Sequence, residues 1–327
     1  MTAAAIDLPW LARTLRASRN IAAKGDIALA TDRMGLKSAA GVAVGDDCAA
    51  IPDGDGYALL AIEGFMNEFV AADPWFAGWC GVMVNLSDIA AMGGRPTAVV
   101  DAVWAEGGNG AAAILDGMRA ASERYGVPIV GGHTNLRSER SQLAVAVLGR
   151  AKRLLTSFDA LPGDRLVAAI DLRGRYHAPF SNWEAATDAP AARLRGDLEV
   201  LPRIAEQSLS CAAKDISQGG IVGTAAMLAE CSGVGVVIDV TAVPKPDGAS
   251  LDRWMSTFPS YGYLIAAPCK NVATIIDLFR SRDIDAADVG AVTAGRTVSI
   301  TDGSSTVAVR DLREDPLLGL GPLEVQA

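Results

Sequence analysis

Asn85-Leu86-Ser87-Asp88-Ile89-Ala90-Ala91-Met92-Gly93-Gly94-Arg95-Pro96 reads as the end of a helix and the entry to a strand. Leu86, Ile89 and Ala90 continue an apolar stripe begun by Trp79, Val82 and Met83, and Gly93-Gly94 with Pro96 ends it. Asn85 and Asp88 are three positions apart, so they lie close together on one face of an otherwise apolar helix. A carboxylate flanked by so much apolar surface needs a partner, which a metal ion or a hydrogen bond at the helix end would supply.

Working outward, Thr97 to Trp104 reads as a strand, Ala111 to Tyr125 as a helix, and Val127 to Val130 as a strand running into a loop, Gly131-Gly132-His133-Thr134-Asn135. Gln142 to Leu148 forms another strand. Upstream, Leu8, Leu11 and Leu15 mark a helix over about residues 8 to 22, followed by a loose segment from Ala23 to Ala40. Val42 to Val44 and Tyr57 to Ile62 read as strands joined in a hairpin by Pro52-Asp53-Gly54-Asp55-Gly56. Beyond Pro162-Gly163-Asp164 come strands at 165–170, 234–240 and 261–267, helices near 198–209, 220–231 and 271–281, and closing strands near Val289, Val298 and Val307. The alternation predicts an α+β chain. Its expected segments are 1–40 (a helix and a loose stretch), 41–155 (a first domain) and 156–327 (a second domain, again α and β).

The chain has 327 residues and a net charge of 29 − 38 = −9, with a pI near 4.8. There is no broad basic field for nucleic acid or anionic lipid. Mean hydropathy is +0.24, yet no stretch of about 20 residues runs without a charge or turn signal, so no membrane span is expected. The first residues lack the pattern of a secretory signal, and the five cysteines include no Cys-x-x-Cys pair, which points to the cytoplasm. With only His133 and His177 available, a metal would be held by oxygen atoms, as magnesium is.

Three further clusters bear chemistry. Gly45-Asp46-Asp47 places two carboxylates after a strand end, and a third acid, Glu63, ends the following strand. The paired glycines of Gly131-Gly132-His133-Thr134 let backbone amides approach a phosphate, with the threonine hydroxyl as an extra donor. Lys214-Asp215-Ile216-Ser217-Gln218-Gly219-Gly220 combines a carboxylate, a hydroxyl and a helix N-terminus, suited to a metal or phosphate, or simply to a cap.

In this order, from about residue 40 to 312, the clusters resemble the aminoimidazole ribonucleotide synthetase (PurM-like) superfamily, with the Asn85–Pro96 block the most specific match. The resemblance is nearest to selenophosphate synthetase and thiamine-monophosphate kinase. It implies a two-domain fold whose N-terminal domain lends strands to a dimeric β-barrel, hence a homodimer, and whose C-terminal domain is an α/β sandwich; it also implies a mobile N-terminal segment, ATP and Mg2+. By position, Asp46, Asp47, Glu63, Asp88 and Asp215 look like metal ligands, and Gly45, Asn85, Gly131, Gly132, His133 and Thr134 like nucleotide contacts. Lys24, in a segment that in selenophosphate synthetase closes over the phosphates, looks like a catalytic lysine. Three positions depart from relatives: Glu63 replaces the more usual aspartate, while His133 and Gln218 stand where the kinase has acids. The first cysteine is Cys48 and the C-terminus carries none, so selenide chemistry and that of the hydrogenase maturation relatives are disfavoured. The implied activity is magnesium-ATP-dependent phosphorylation or phosphate activation of a small-molecule acceptor, with a non-catalytic ATP-binding paralogue as the alternative.

Overall fold

The computed structural model describes residues 6–36 and 43–320, and its contacts divide the chain into two units. Neither is contiguous. The N-terminal unit comprises Asp47–Leu154 and Ala186–Gln207; the C-terminal unit comprises Met1–Asp46, Leu155–Ala185 and Ser208–Ala327. The N-terminal segment therefore belongs with the C-terminal unit, and a later excursion returns to the N-terminal one.

The N-terminal unit is built on a five-stranded sheet of β1 (Ala49–Asp53), β2 (Gly56–Gly64), β3 (Arg95–Glu106), β4 (Ile129–Asn135) and β5 (Arg137–Ala151), in the order β1-β2-β5-β3-β4. Neighbours run antiparallel except for β3 and β4. Leu59, Ala61, Val99, Val103, Val145 and Val147 are buried on one face, which the helix Pro74–Ala91 covers. Each large aliphatic side chain so buried contributes about 1.5–3 kcal/mol. The helix starts where the Asp73 side chain accepts from Phe76 N at 3.1 Å and Pro74 stands in the first turn. It stops at Gly93, whose φ of 74° suits glycine. The helix Gly107–Tyr125 crosses it so closely that a methyl group on Gly78 or Gly117 would overlap the carbonyl of Ile114 or Trp75. The opposite face of the sheet leaves Leu60, Ile62, Val100 and Leu148 exposed, with Leu60 paired to Leu148 and both Ile62 and Val100 paired to Ala146.

The C-terminal unit adds β6 (Arg165–Ile170), β7 (Arg175–Tyr176), β8 (Asn182–Glu184), β9 (Ala212–Asp215), β10 (Gly235–Asp239), β11 (Phe258–Pro259), β12 (Gly262–Ala267), β13 (Asp285–Thr293), β14 (Thr297–Thr301) and β15 (Thr306–Asp311). Seven of these form a mixed sheet, β15-β14-β10-β13-β6-β12-β9, and three form a small sheet, β11-β8-β7. The helices Leu8–Arg16, Gly220–Ser232 and Cys269–Arg280 pack on the larger sheet. The α+β class and the two-domain fold are those expected.

Local differences have local causes. The stretch expected to be loose after residue 22 holds a 3-10 turn, Ala23–Gly25, and a helix, Asp26–Met34, closed by Gly35 at φ 64°; the rest of it, residues 37–40, lies outside the described residues. The first hairpin strand is Ala49–Asp53 rather than 42–44, of which residue 42 is not described. An edge strand tolerates Pro52, so pairing continues to Asp53 opposite Gly56. The expected Gly131–Asn135 loop is strand, because β4 pairs with the 12-residue β3 through Gly132 opposite Asp101 and Thr134 opposite Val103. Cross-strand pairing there outweighs the low strand preference of Gly-Gly.

Candidate functional site

Within the N-terminal unit, Asp88 and Asn85 project from the same helix, and both are buried. Asn85 Nδ2 donates to Gly81 O at 2.8 Å, while its Oδ1, also buried, has no hydrogen-bond partner. Asp47, half-buried just before β1, brings a carboxylate oxygen within 4.8 Å of one from Asp88. Two carboxylates at that separation repel by roughly 3–4 kcal/mol at an effective dielectric near 20. A hard cation between them reverses the sign, and an all-oxygen donor set with an idle amide oxygen close in sequence fits magnesium. Glu63, exposed toward the end of β2, is outside the group of carboxylates so gathered.

Gly131, Gly132, His133 and Thr134 lie exposed along the edge strand β4. The His133 ring is 5.9 Å from that of Trp104 on β3. A side chain on Gly132 would run into the carboxylate of Asp101, at 2.5 Å from Oδ2. Burial pushes the Asp101 carboxyl above the ordinary aspartate range. Sequence reading passed over Asp101, although a lone acid inside the apolar run Ala98-Val99-Val100-Asp101-Ala102-Val103 was a usable signal.

In the C-terminal unit, Asp46 accepts from Ser157 twice, from the backbone N–H at Oδ2 (2.8 Å) and from the hydroxyl at Oδ1 (2.7 Å). Gly45 sits at φ 120°, where a side chain would be strained and would meet Leu320. Asp215 ends β9 and is buried, and Thr224 Oγ1 donates to its backbone carbonyl at 3.2 Å. Ser217 Oγ, two residues on, is buried without a partner. Lys24 is half-buried in the 3-10 turn Ala23–Gly25. Nothing in the local sequence marked Ser157 as the partner of Asp46, because 111 residues separate them.

The profile described as AIR synthase related protein, N-terminal domain, matches residues 45–151, and that of the C-terminal domain matches residues 165–303. An uncharacterized protein of Synechocystis sp. is 45% identical over 311 residues, covering 93% of this chain and 96% of that protein. The chain belongs to the AIR synthase-related family. This AIR synthase-related protein is also 30% identical over 210 residues to a thiamine-monophosphate kinase of Halobacterium salinarum, with 62% of this chain and 70% of the kinase covered. Its fold is like that of Thermotoga maritima PurL complexed with AMPPCP, with a TM-score of 0.74 at 17% identity over 95% of this chain. The chain spans about half (52%) of that PurL, so the likeness is one of fold. Among the described residues no helix is long and apolar enough to cross a membrane.

Proposed function

We propose that this protein binds magnesium-ATP and transfers or activates a phosphoryl group on a small-molecule acceptor. The observation that carries the reading is the Asp47–Asp88 pair, with the unpartnered Oδ1 of Asn85 three residues before Asp88 on the same helix, a set that invites a cation and a hydrogen-bond donor. It gains weight from the kinase among the relatives and from the nucleotide analogue carried by the PurL of like fold.

When bound, magnesium neutralises phosphate charge and so eases attack on phosphorus. The protein's part is to hold and orient. Asp47 and Asp88 take the metal, and Asn85 Oδ1 accepts from a donor brought by the ligand. By resemblance, Asp215 adds a third metal ligand and the amides of Gly131 and Gly132 with the Thr134 hydroxyl donate to phosphate. Glu63 and His133 stand at family positions with altered chemistry; by resemblance they serve as a further metal ligand and a nucleotide contact. Asp46 is assigned to anchoring the motif rather than to the metal, since Ser157 engages both of its oxygens. Lys24 supplies positive charge to the transferring group.

The second copy implied by the resemblance has a natural seat. Leu60, Ile62, Val100 and Leu148 make an exposed apolar face on a sheet that a lone subunit leaves uncovered. We place the homodimer contact there.

Calorimetric titration of ATP with and without Mg2+, followed by ADP formation across amides, phosphate esters and thioacids, tests the reading. Magnesium-dependent binding with turnover on one acceptor class is expected. Binding without turnover across the panel would support a regulatory ATP-binding protein, and no binding would end the proposal.

A further inference from the structure

Glu230 lies near the end of the helix Gly220–Ser232 and is 3% exposed. Its carboxylate accepts from four consecutive backbone amides: Leu317 N to Oε2 at 2.5 Å, Leu318 N to both oxygens at 3.0 Å, Gly319 N to Oε1 at 2.6 Å and Leu320 N to Oε1 at 3.3 Å. Burying a carboxylate is costly, and only a full set of charge-assisted hydrogen bonds offsets the cost. The result is a strap, Leu317–Leu320, tied to the helix by one side chain.

Each end of the strap lies near a segment already implicated in function, and all of these residues belong to the C-terminal unit. At one end, Leu317 O is 3.7 Å from the place where a side chain on Gly25 would begin, next to Lys24. At the other, Leu320 Cδ1 is 2.9 Å from the same place on Gly45, next to Asp46. The two residues after Glu230 reach the same motif. Cys231 Sγ hydrogen-bonds to Gly45 O at 3.6 Å, and Ser232 Oγ donates to Ser157 O at 2.7 Å, the serine that holds Asp46. One helical turn thus braces Gly45-Asp46 by three routes, and the next residue in the chain is Asp47.

We infer that Glu230 is a positioning residue: by tying down Leu317–Leu320 it sets the Lys24-Gly25 turn and the Gly45-Asp46 turn for metal-nucleotide binding. The inference rests on the functional reading above and extends it to residues remote from the carboxylates themselves. A glutamine at 230 keeps the shape but offers one acceptor oxygen where the amides use two, so the strap loosens without emptying the core.

The test compares Glu230→Gln with Val222→Ala, a buried position on the same helix with no contact of this kind, using Mn2+ binding in the presence of ATP read by electron paramagnetic resonance alongside thermal unfolding. Glu230→Gln is expected to weaken Mn2+ binding by about 10- to 100-fold, as loss of outer-shell support to a metal site does, while Val222→Ala lowers the melting temperature and leaves Mn2+ binding as in the parent. Leu320→Ala, which removes the packing on Gly45 and leaves the carboxylate bonds, is expected to weaken Mn2+ binding in the same direction and serves if Glu230→Gln does not fold. Parent-like Mn2+ binding in either strap variant would overturn the inference alone. Absence of Mn2+-ATP binding in the parent would overturn the functional reading, and the inference with it.

Discussion

Ser157 occupies both carboxylate oxygens of Asp46, its N–H at 2.8 Å and its hydroxyl at 2.7 Å, across 111 residues of sequence. Ser157 is itself fully buried, so its two donors have no water to fall back on. Asp46→Ala strands both and is expected to destabilise the protein by about 1–3 kcal/mol for each donor left unpaired, measured by urea unfolding without any nucleotide. Parent-like stability would show that the pair matters little to the fold.

Asp47→Asn and Asp88→Asn are expected to act the other way round. Each removes one of the proposed metal ligands but also relieves like-charge repulsion in the metal-free protein. Magnesium-dependent ATP affinity is expected to fall by about tenfold or more, while the apo melting temperature holds or rises. Unchanged affinity with full stability would return both residues to ordinary structure.

Lys24→Ala is expected to slow turnover by about tenfold, which corresponds to one charged contact worth ~1.4 kcal/mol in the transition state, with a smaller effect on ATP binding. Equal turnover in variant and parent, with the true acceptor, would reassign Lys24 to the surface.

The exposed row on β2, β3 and β5 carries the assembly prediction. Leu60→Asp or Leu148→Asp is expected to yield a monomer by sedimentation at micromolar concentration, since each places a charge in an apolar face. A monomeric parent would dispose of the dimer.

Arg95, in the same block as Asp88, bridges Glu199 at 2.9 Å and Glu206 at 2.6 Å. The hydrogen bond from Arg95 holds the Glu206 carboxyl below its ordinary value of 4.5, with burial opposing. A carboxylate whose pKa is lowered on folding stabilises the fold fully above that ordinary value, and the contribution fades as pH falls through the lower, folded value. The parent is therefore expected to lose more stability than Arg95→Met as the pH falls below about 4.5. The difference stays within about 1 kcal/mol, because the groups are partly exposed and screened. Parallel pH profiles in urea unfolding would refute the linkage.

Much of this was legible from order along the chain. The helix carrying Asn85 and Asp88, its stop at Gly93, and the strands 165–170 and 262–267 follow from short-range periodicity and turn residues, which report local conformation directly. The conversion of Gly131–Asn135 from loop to strand was not legible, because a Gly-Gly segment has no strand preference of its own and takes its form from β3 beside it.

The chain's residue order alone established the family motifs and the α+β class and singled out the acidic candidates, since these depend on chemistry and spacing over a few residues. Tertiary structure decided which carboxylates meet and which are spoken for. Asp47 reaches Asp88, Asp46 turns to Ser157, and Glu230 captures Leu317–Leu320, all over separations of tens to hundreds of residues. Such pairings are settled by packing and by the need of buried polar groups for partners, and neither leaves a periodic trace in sequence.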